Sequence, residues 1–173
     1  YPDALSWASA AAARGIPLVL STNNALPEAT ANVLKELKPA KIYVAGGEMA
    51  VASKVLEQLK PVCGLSSDSI VRLAGSNRYE TSVKIAQAFY PVTNELYLAT
   101  GRDFIEPLAA GALAASRNSC LLLIAPQGFT INGPTENYIT QLPSAPRVTI
   151  IGGEASISEK TVNRIKELLA PKS

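Results

Sequence analysis

A repeat of about a hundred residues runs through this 173-residue chain and constrains the folds open to it. The segment that begins with Phe104-Ile-Glu106 matches the one that begins with Tyr1-Pro-Asp3 at an offset of 103 residues. Gly15 and Asn118 hold matching positions, and glycine and asparagine are the residue types that most easily form a left-handed helix cap. The repeat predicts two copies of one unit, of which the first lacks its opening strand, helix and second strand.

Six short apolar runs alternate with helical patterns along the chain. The predicted strands lie at residues 16–21, 41–45, 69–74, 95–99, 119–124 and 147–151. Because these runs are apolar throughout, they are typical of parallel sheets that helices cover on both faces. We therefore expect an α/β fold with three-layer open parallel sheets. Residues 1–62 would form the C-terminal part of a truncated repeat, unable to fold alone, and residues 66–173 a complete repeat.

The stretch from residue 71 to residue 89 combines a strand, a turn and a helix start. After the predicted strand, Gly75 allows the backbone to turn. Asn77 and Glu80 form a capping-box pattern, in which the Asn side chain accepts a hydrogen bond from an early N–H group of the helix. A helix is therefore expected to begin near Arg78.

This stretch resembles the start of the type-2 cell-wall-binding repeat of clostridial and related Gram-positive surface proteins. The motif R-L-x-G-x-x-R-Y-x-T is carried by Arg72, Gly75, Arg78, Tyr79 and Thr81. The resemblance continues through the ELYLATG strand and the IIGGEASIS turn and covers residues 69–169. The first sixty residues resemble the later part of a preceding repeat. The resemblance implies flavodoxin- or Toprim-like repeat units in a secreted protein of the cell wall or cell surface, of the S-layer kind.

The family resemblance also implies a function. Its members are non-catalytic modules that anchor an exported protein by binding an anionic secondary wall polymer of the teichoic-acid type. They occur as three copies around a threefold axis, so association with further copies of the repeat is expected, and no cofactor is implied. The alternative is a small-molecule or nucleotide-binding α/β domain, or an enzyme whose site lies at the carboxyl ends of the strands.

Composition excludes several other classes of function. The net charge is +2 and the cations are scattered, which does not favour a nucleic-acid partner. The longest apolar run, residues 120–125, is far too short to span a membrane. Histidine is absent, which removes the commonest general base and most zinc sites. The two cysteines, Cys63 and Cys120, are expected to be free thiols. We therefore expect neither a catalytic residue nor a metal site.

Polar residues at predicted strand ends and helix starts are candidates for polymer binding. The candidate polymer-binding residues are Arg72, Arg78, Arg102 and Asn77. Arg72 and Arg78 could project toward one sheet edge and clamp an anion, because guanidinium groups match phosphate and carboxylate oxygens. The alternative for them is an internal ion pair with Glu80 or Asp103. Arg102 follows a strand end, which is where open α/β sheets place ligands.

Two Gly-Gly-Glu turns lie 106 residues apart, with the glycines at Gly46, Gly47, Gly152 and Gly153. Such glycines could bring backbone N–H groups against a phosphate. The turns lack the spacing of dinucleotide-binding and P-loop motifs, so a structural role in a tight turn between strand and helix is favoured. If φ is positive at the second glycine of each pair, Gly47→Ala and Gly153→Ala should lower the melting temperature.

Overall fold

The computed structural model describes residues 2–125 and 133–170, so Tyr1, the first residue of the predicted repeat, lies outside it. Its helices are α1 (Pro2–Ala13), α2 (Glu28–Leu37), α3 (Ser53–Cys63), α4 (Arg78–Phe89), α5 (Ile105–Ser116), α6 (Gly133–Gln141) and α7 (Glu159–Leu169). Its strands are β1 (Ile42–Ala45), β2 (Ile70–Leu73), β3 (Glu95–Thr100), β4 (Cys120–Ile124) and β5 (Arg147–Ile151). Within the described ranges, no helix has the length and apolar character that crossing a membrane requires.

The strands form two parallel sheets. One pairs β1 with β2, from Ile42 opposite Ile70 to Ala45 opposite Leu73. The other has the order β4-β3-β5, and its central strand places Leu98 between two neighbours on β4 and β5. Helices and parallel strands alternate, which confirms the α/β prediction. The likeness of each unit to flavodoxin or Toprim stays a prediction.

Helix α1 of the first copy packs on the second copy. It lies along α5 and also contacts α4 and β4. The Trp7 ring is buried against Phe89 in an edge-to-face contact with 5.0 Å between centroids, and the Phe89 ring lies 4.9 Å from that of Tyr43. The alanine-rich sequence of α1 permits this close packing. The division of the chain at residues 62 to 66 stays a prediction, since apolar contacts join the two parts.

Helix ends follow the local signals in the sequence. Gly15, after α1, has φ of +62°, and Asn118, after α5, has φ of +48°. Both matching caps are therefore left-handed, as the repeat predicts. Asn77 caps α4 with its side chain.

The strand predicted at residues 16–21 is wrong. This segment has no regular secondary structure, and Leu18 and Leu20 are 44% and 68% exposed. Its counterpart in the second copy, β4, is ordered by pairing with β3. The described residues of the first copy include no strand equivalent to β3, so the segment has no strand to pair with. The other five predicted strands are confirmed to within about a residue at each end.

Candidate functional site

The guanidinium of Arg72 joins the second copy to the first. Its Nη1 donates to the carbonyl oxygens of Gly46 at 2.8 Å and Val51 at 2.7 Å. Its Nη2 lies 3.6 Å from Oε2 of Glu48 without a hydrogen bond, and the side chain is only 22% exposed. The ion pair considered for this arginine is thus made with Glu48, and not with Glu80 or Asp103.

Glu48 accepts two hydrogen bonds besides its contact with Arg72. The backbone N–H and the hydroxyl of Ser53 each donate to its carboxylate at 2.7 Å. These bonds, the backbone one first, lower the pKa of Glu48, and the charge of Arg72 adds a smaller effect. The first Gly-Gly-Glu turn is therefore tied to both α3 and β2.

The turn between β2 and α4 is held by the motif residues. A Cβ on Gly75 would overlap Glu80 and lie 2.8 Å from the backbone N of Thr81, so only glycine fits. The Gly75 N–H donates to Thr81 Oγ1 at 3.1 Å, and that hydroxyl donates to the Asn77 carbonyl oxygen at 3.0 Å. Asn77 Oδ1 accepts two N–H groups of the first helical turn at 3.0 Å each. The predicted cap is confirmed.

Glu80 also supports this cap, but the N–H group that it binds belongs to the residue before the one bound in a standard capping box. Its Oε2 accepts the backbone N–H of Ser76 at 2.7 Å, rather than that of Asn77. The hydrogen bonds from Ser76 lower the pKa of the Glu80 carboxyl. The carboxylate therefore stabilises the turn in its charged form.

Arg78 binds the turn that carries Arg102. Arg78 Nη1 donates to the carbonyl oxygen of Gly101 at 2.6 Å, and a Cβ on Gly101 would lie 2.6 Å from Cε1 of Tyr79. Arg102 follows directly and is exposed. Its backbone N–H donates to Thr100 Oγ1 at 3.2 Å, but within the described residues its guanidinium has no hydrogen-bond or ion-pair partner. This corner, formed by the start of α4 and the turn after β3, therefore carries an exposed guanidinium.

A shallow hollow lies between the start of α4 and the first Gly-Gly-Glu turn. Asn77 and Arg78 line it together with the acidic side chains Asp3 and Glu48. Glu48 is paired with Arg72, so this hollow is bordered by charges of both signs. The structure thus separates Arg72, which is held by carbonyl groups, from Arg102, which is open to solvent.

The two Gly-Gly turns share one conformation. The positive φ values are at the first glycine of each pair, +105° at Gly46 and +126° at Gly152. Gly47 and Gly153 have no positive φ, and a Cβ on either would meet nothing within 4 Å. The condition under which Gly47→Ala and Gly153→Ala were expected to destabilise the chain is therefore not met, and the strained positions are one residue earlier.

A carboxylate from a neighbouring helix approaches each of these turns. Asp3 Oδ2 lies 3.0 Å from the place of a Cβ on Gly46, and Glu106 Oε1 lies 3.4 Å from that on Gly152. Asp3 and Glu106 are repeat equivalents, and Ser156 Oγ donates to Glu106 Oε1 at 2.7 Å. Sequence reasoning missed this arrangement, although two acidic residues at matching repeat positions were a signal for it.

The cysteines are free thiols, as expected. Cys120 is buried, which raises its pKa to about 12, and burial also raises the pKa of Cys63. In the parts of the chain that the structure describes, no group of three His, Cys, Asp or Glu residues could hold a metal ion.

The repeated parallel α/β architecture and the motif at residues 72–81 are those of a cell wall binding module. The sequence profile of Cell wall binding domain 2 matches residues 1–56 and 72–162, and the chain belongs to that family. The match spans parts of both copies of the repeat.

Two curated relatives come from Bacillus subtilis (strain 168). The chain is 30% identical over 165 residues to N-acetylmuramoyl-L-alanine amidase LytC, covering 95% of this chain and 32% of that protein. It is 24% identical over 167 residues to the Amidase enhancer, covering 96% of this chain and 22% of that protein. The chain thus spans about a third or less of the length of these relatives. The family and the relatives indicate a location at the cell wall or cell surface.

Two solved structures from Clostridium difficile share the fold. Cwp6 superposes with a TM-score of 0.84 at 23% identity, covering 96% of this chain and 26% of that one. Cwp8 superposes with a TM-score of 0.81 at 23% identity, covering 96% and 27%. At this identity the likeness establishes the fold.

Proposed function

We propose that this chain is a non-catalytic attachment module that holds an exported protein on the Gram-positive cell wall. The ligand in this proposal is an anionic secondary wall polymer of the teichoic-acid type. The observation that carries the proposal is the match to a cell wall binding family over most of the chain. The motif supports it, because its Arg78 binds the carbonyl group of Gly101, the residue directly before the exposed Arg102.

The proposed contact surface is the corner formed by Arg78 and Arg102. Arg102 supplies an unpaired guanidinium, and Arg78 brings a second positive charge to the carbonyl group directly before it. Guanidinium groups bind phosphate and carboxylate oxygens with two parallel hydrogen bonds. Asn77 supports this surface by fixing the start of α4, and Arg72 supports it by fixing β2 to the preceding turn.

A wall-binding assay with matched charge variants tests the contact surface. The chain should sediment with purified Gram-positive walls and lose that ability once mild acid removes the anionic polymers. Arg102→Gln should weaken binding, whereas Arg117→Gln, which removes the same charge at the other end of α5, should not. Affinity should also fall as ionic strength rises, because salt screens exposed charge pairs.

Distinct results would contradict distinct parts of this proposal. Binding that survives acid extraction would identify peptidoglycan as the ligand. Equal loss in the Arg102 and Arg117 variants would indicate non-specific attraction by net charge. A thermal-shift screen with nucleotides, sugars and phosphorylated polyols tests the alternative, since a ligand of the folded state raises the melting temperature.

We further propose that the chain associates with additional copies of the repeat in a threefold arrangement. The repeat-equivalent helices α1 and α5 lie side by side, yet they expose different faces. Ser6 and Ser9 are buried on α1, whereas their equivalents Ala109 and Ala112 are exposed on α5. A third such helix, related to α5 as α5 is to α1, would cover this face together with Leu108.

Sedimentation velocity over a range of concentrations tests this association. The chain should form larger species at high concentration, and Leu108→Asp should abolish them because it introduces a charge on the exposed face of α5. Leu37→Asp, which changes an exposed leucine on α2, is the matched control. A chain that stays monomeric at every concentration would refute the proposed association.

A further inference from the structure

The first copy contains the repeat equivalents of two flanking strands, the irregular residues 16–21 and the strand β1, without the strand between them. In the second copy β3 pairs with β4 on one side and β5 on the other, so that Leu98 lies opposite both Leu122 and Ile150. The repeat offsets of 103 and 106 residues make Val19 the equivalent of Leu122 and Val44 the equivalent of Ile150. Both valines should therefore flank one and the same position of an intervening strand.

The exposure of these residues indicates that this position is open. Leu121, Leu122 and Leu123 are at most 1% exposed in β4. Their equivalents Leu18, Val19 and Leu20 are 44%, 38% and 68% exposed. Among the described residues, no backbone hydrogen bond is made by the N–H or C=O groups of Leu18 or Val19.

The two edges face a common groove. A hollow of about 210 Å³, partly open to solvent, lies between residues 18–21 and β1. Its floor is apolar and includes Trp7 and Leu34, both of which are buried. On its other edge β1 already pairs with β2, so the edge of β1 that faces the groove is unpaired. Two unpaired edges with an apolar floor are the surroundings that a central parallel strand requires.

We propose that this groove is the acceptor site for one parallel β-strand of the same kind as β3, and that this strand runs directly into α1. In the second copy only Gly101–Phe104 separates β3 from α5, and α1 is the equivalent of α5. Polypeptide attached to the N-terminal end of α1 would therefore enter the groove in the same register that β3 has between β4 and β5. The inference is independent of the polymer-binding proposal.

A variant of the chain with ten residues added at its N-terminus tests the acceptor site. The sequence of residues 94–103, NELYLATGRD, is fused to the N-terminus at Tyr1, which restores the spacing between strand and helix that the second copy has. Its matched control is the same extension with both leucines changed to aspartate. Hydrogen exchange of residues 18–20 and 42–45 is measured in both proteins and in the chain without an extension.

The apolar extension should slow exchange in both segments by about tenfold or more, because local opening then requires the breaking of ladder hydrogen bonds. The aspartate extension should leave exchange as it is in the chain alone. Val19→Asp should abolish the protection, whereas Leu37→Asp should preserve it. Val19 and Leu37 are 38% and 48% exposed, so both variants are expected to fold.

Three results would overturn the proposal. One is unchanged exchange in the chain with the apolar extension, and another is equal protection by the aspartate extension. The third is protection of the same amides in the chain without an extension, in step with dimer formation by sedimentation, which would assign the groove to a second copy.

Discussion

The two Gly-Gly turns provide a stability test in which neighbouring residues should respond with opposite signs. Gly46 and Gly152 have φ of +105° and +126°, whereas Gly47 and Gly153 have no positive φ. An alanine at the first position of each pair is forced into a backbone conformation that L-residues avoid. An alanine at the second position meets no neighbouring atom.

The magnitude of each effect follows from these conformations. Holding a residue other than glycine in such a region costs about 1–3 kcal/mol. At Gly46 the new Cβ would also lie 2.8 Å from Cβ of Ala50, so Gly46→Ala should cost more than Gly152→Ala, where the nearest atom is 3.3 Å away. At the second positions, alanine restricts the unfolded chain and should stabilise the fold by about 0.4–1 kcal/mol.

Thermal unfolding followed by circular dichroism measures both effects. For a chain of this size, 1 kcal/mol corresponds to about 2–4 °C, so the first-position variants should melt roughly 2–12 °C lower than the parent. Gly47→Ala and Gly153→Ala should melt at the parent temperature or slightly above. Equal losses within each pair would refute the assignment of strain to the first glycine. Normal stability of Gly47→Ala or Gly153→Ala with lost wall binding would make these turns part of the ligand site.

Three further outcomes are expected. Asn77→Ala should lower the free energy of unfolding by about 1 kcal/mol in urea titrations, because two N–H groups of α4 lose their acceptor. The lowered pKa of Glu80 means that its bond to Ser76 contributes fully above the ordinary pKa of 4.5 and is lost as the pH falls through the lowered value. Glu80→Gln should therefore reduce the difference in stability between neutral and acidic solution. In the folded chain a thiol reagent should modify Cys63 and leave Cys120 unmodified until unfolding, since the latter is buried.

The elements that sequence reasoning predicted correctly depend on short-range signals. Helix α4 is an example, because its cap, Asn77, and the carboxylate that supports the cap lie within four residues of each other. The left-handed caps at Gly15 and Asn118 are likewise local properties of those residue types. Such features form wherever the chain can adopt them, so the amino-acid sequence is sufficient to locate them.

The partners of Arg72 could not be predicted in the same way. The two carbonyl groups that hold its guanidinium belong to residues 21 and 26 positions earlier, in a turn of the preceding copy. Backbone carbonyl groups carry no sequence signature, so reasoning from side chains considered only Glu80 and Asp103 as partners. The same limit applies to the Gly-Gly turns, because two adjacent glycines are equally able to take the positive φ.

Residues 16–21 show why an apolar run is insufficient to predict a strand. The same kind of run forms β4 in the second copy, where β3 satisfies its backbone hydrogen bonds and helices bury its side chains. In the first copy Leu18 and Leu20 have no such strand beside them and are 44% and 68% exposed. A strand without a partner gains no ladder energy to offset the loss of backbone entropy. The apolar run is therefore compatible with a strand, but a strand forms only where a neighbouring strand is present to pair with it. Supplying that strand at the N-terminal end of α1 is a direct test, because it changes the partner and leaves residues 16–21 as they are.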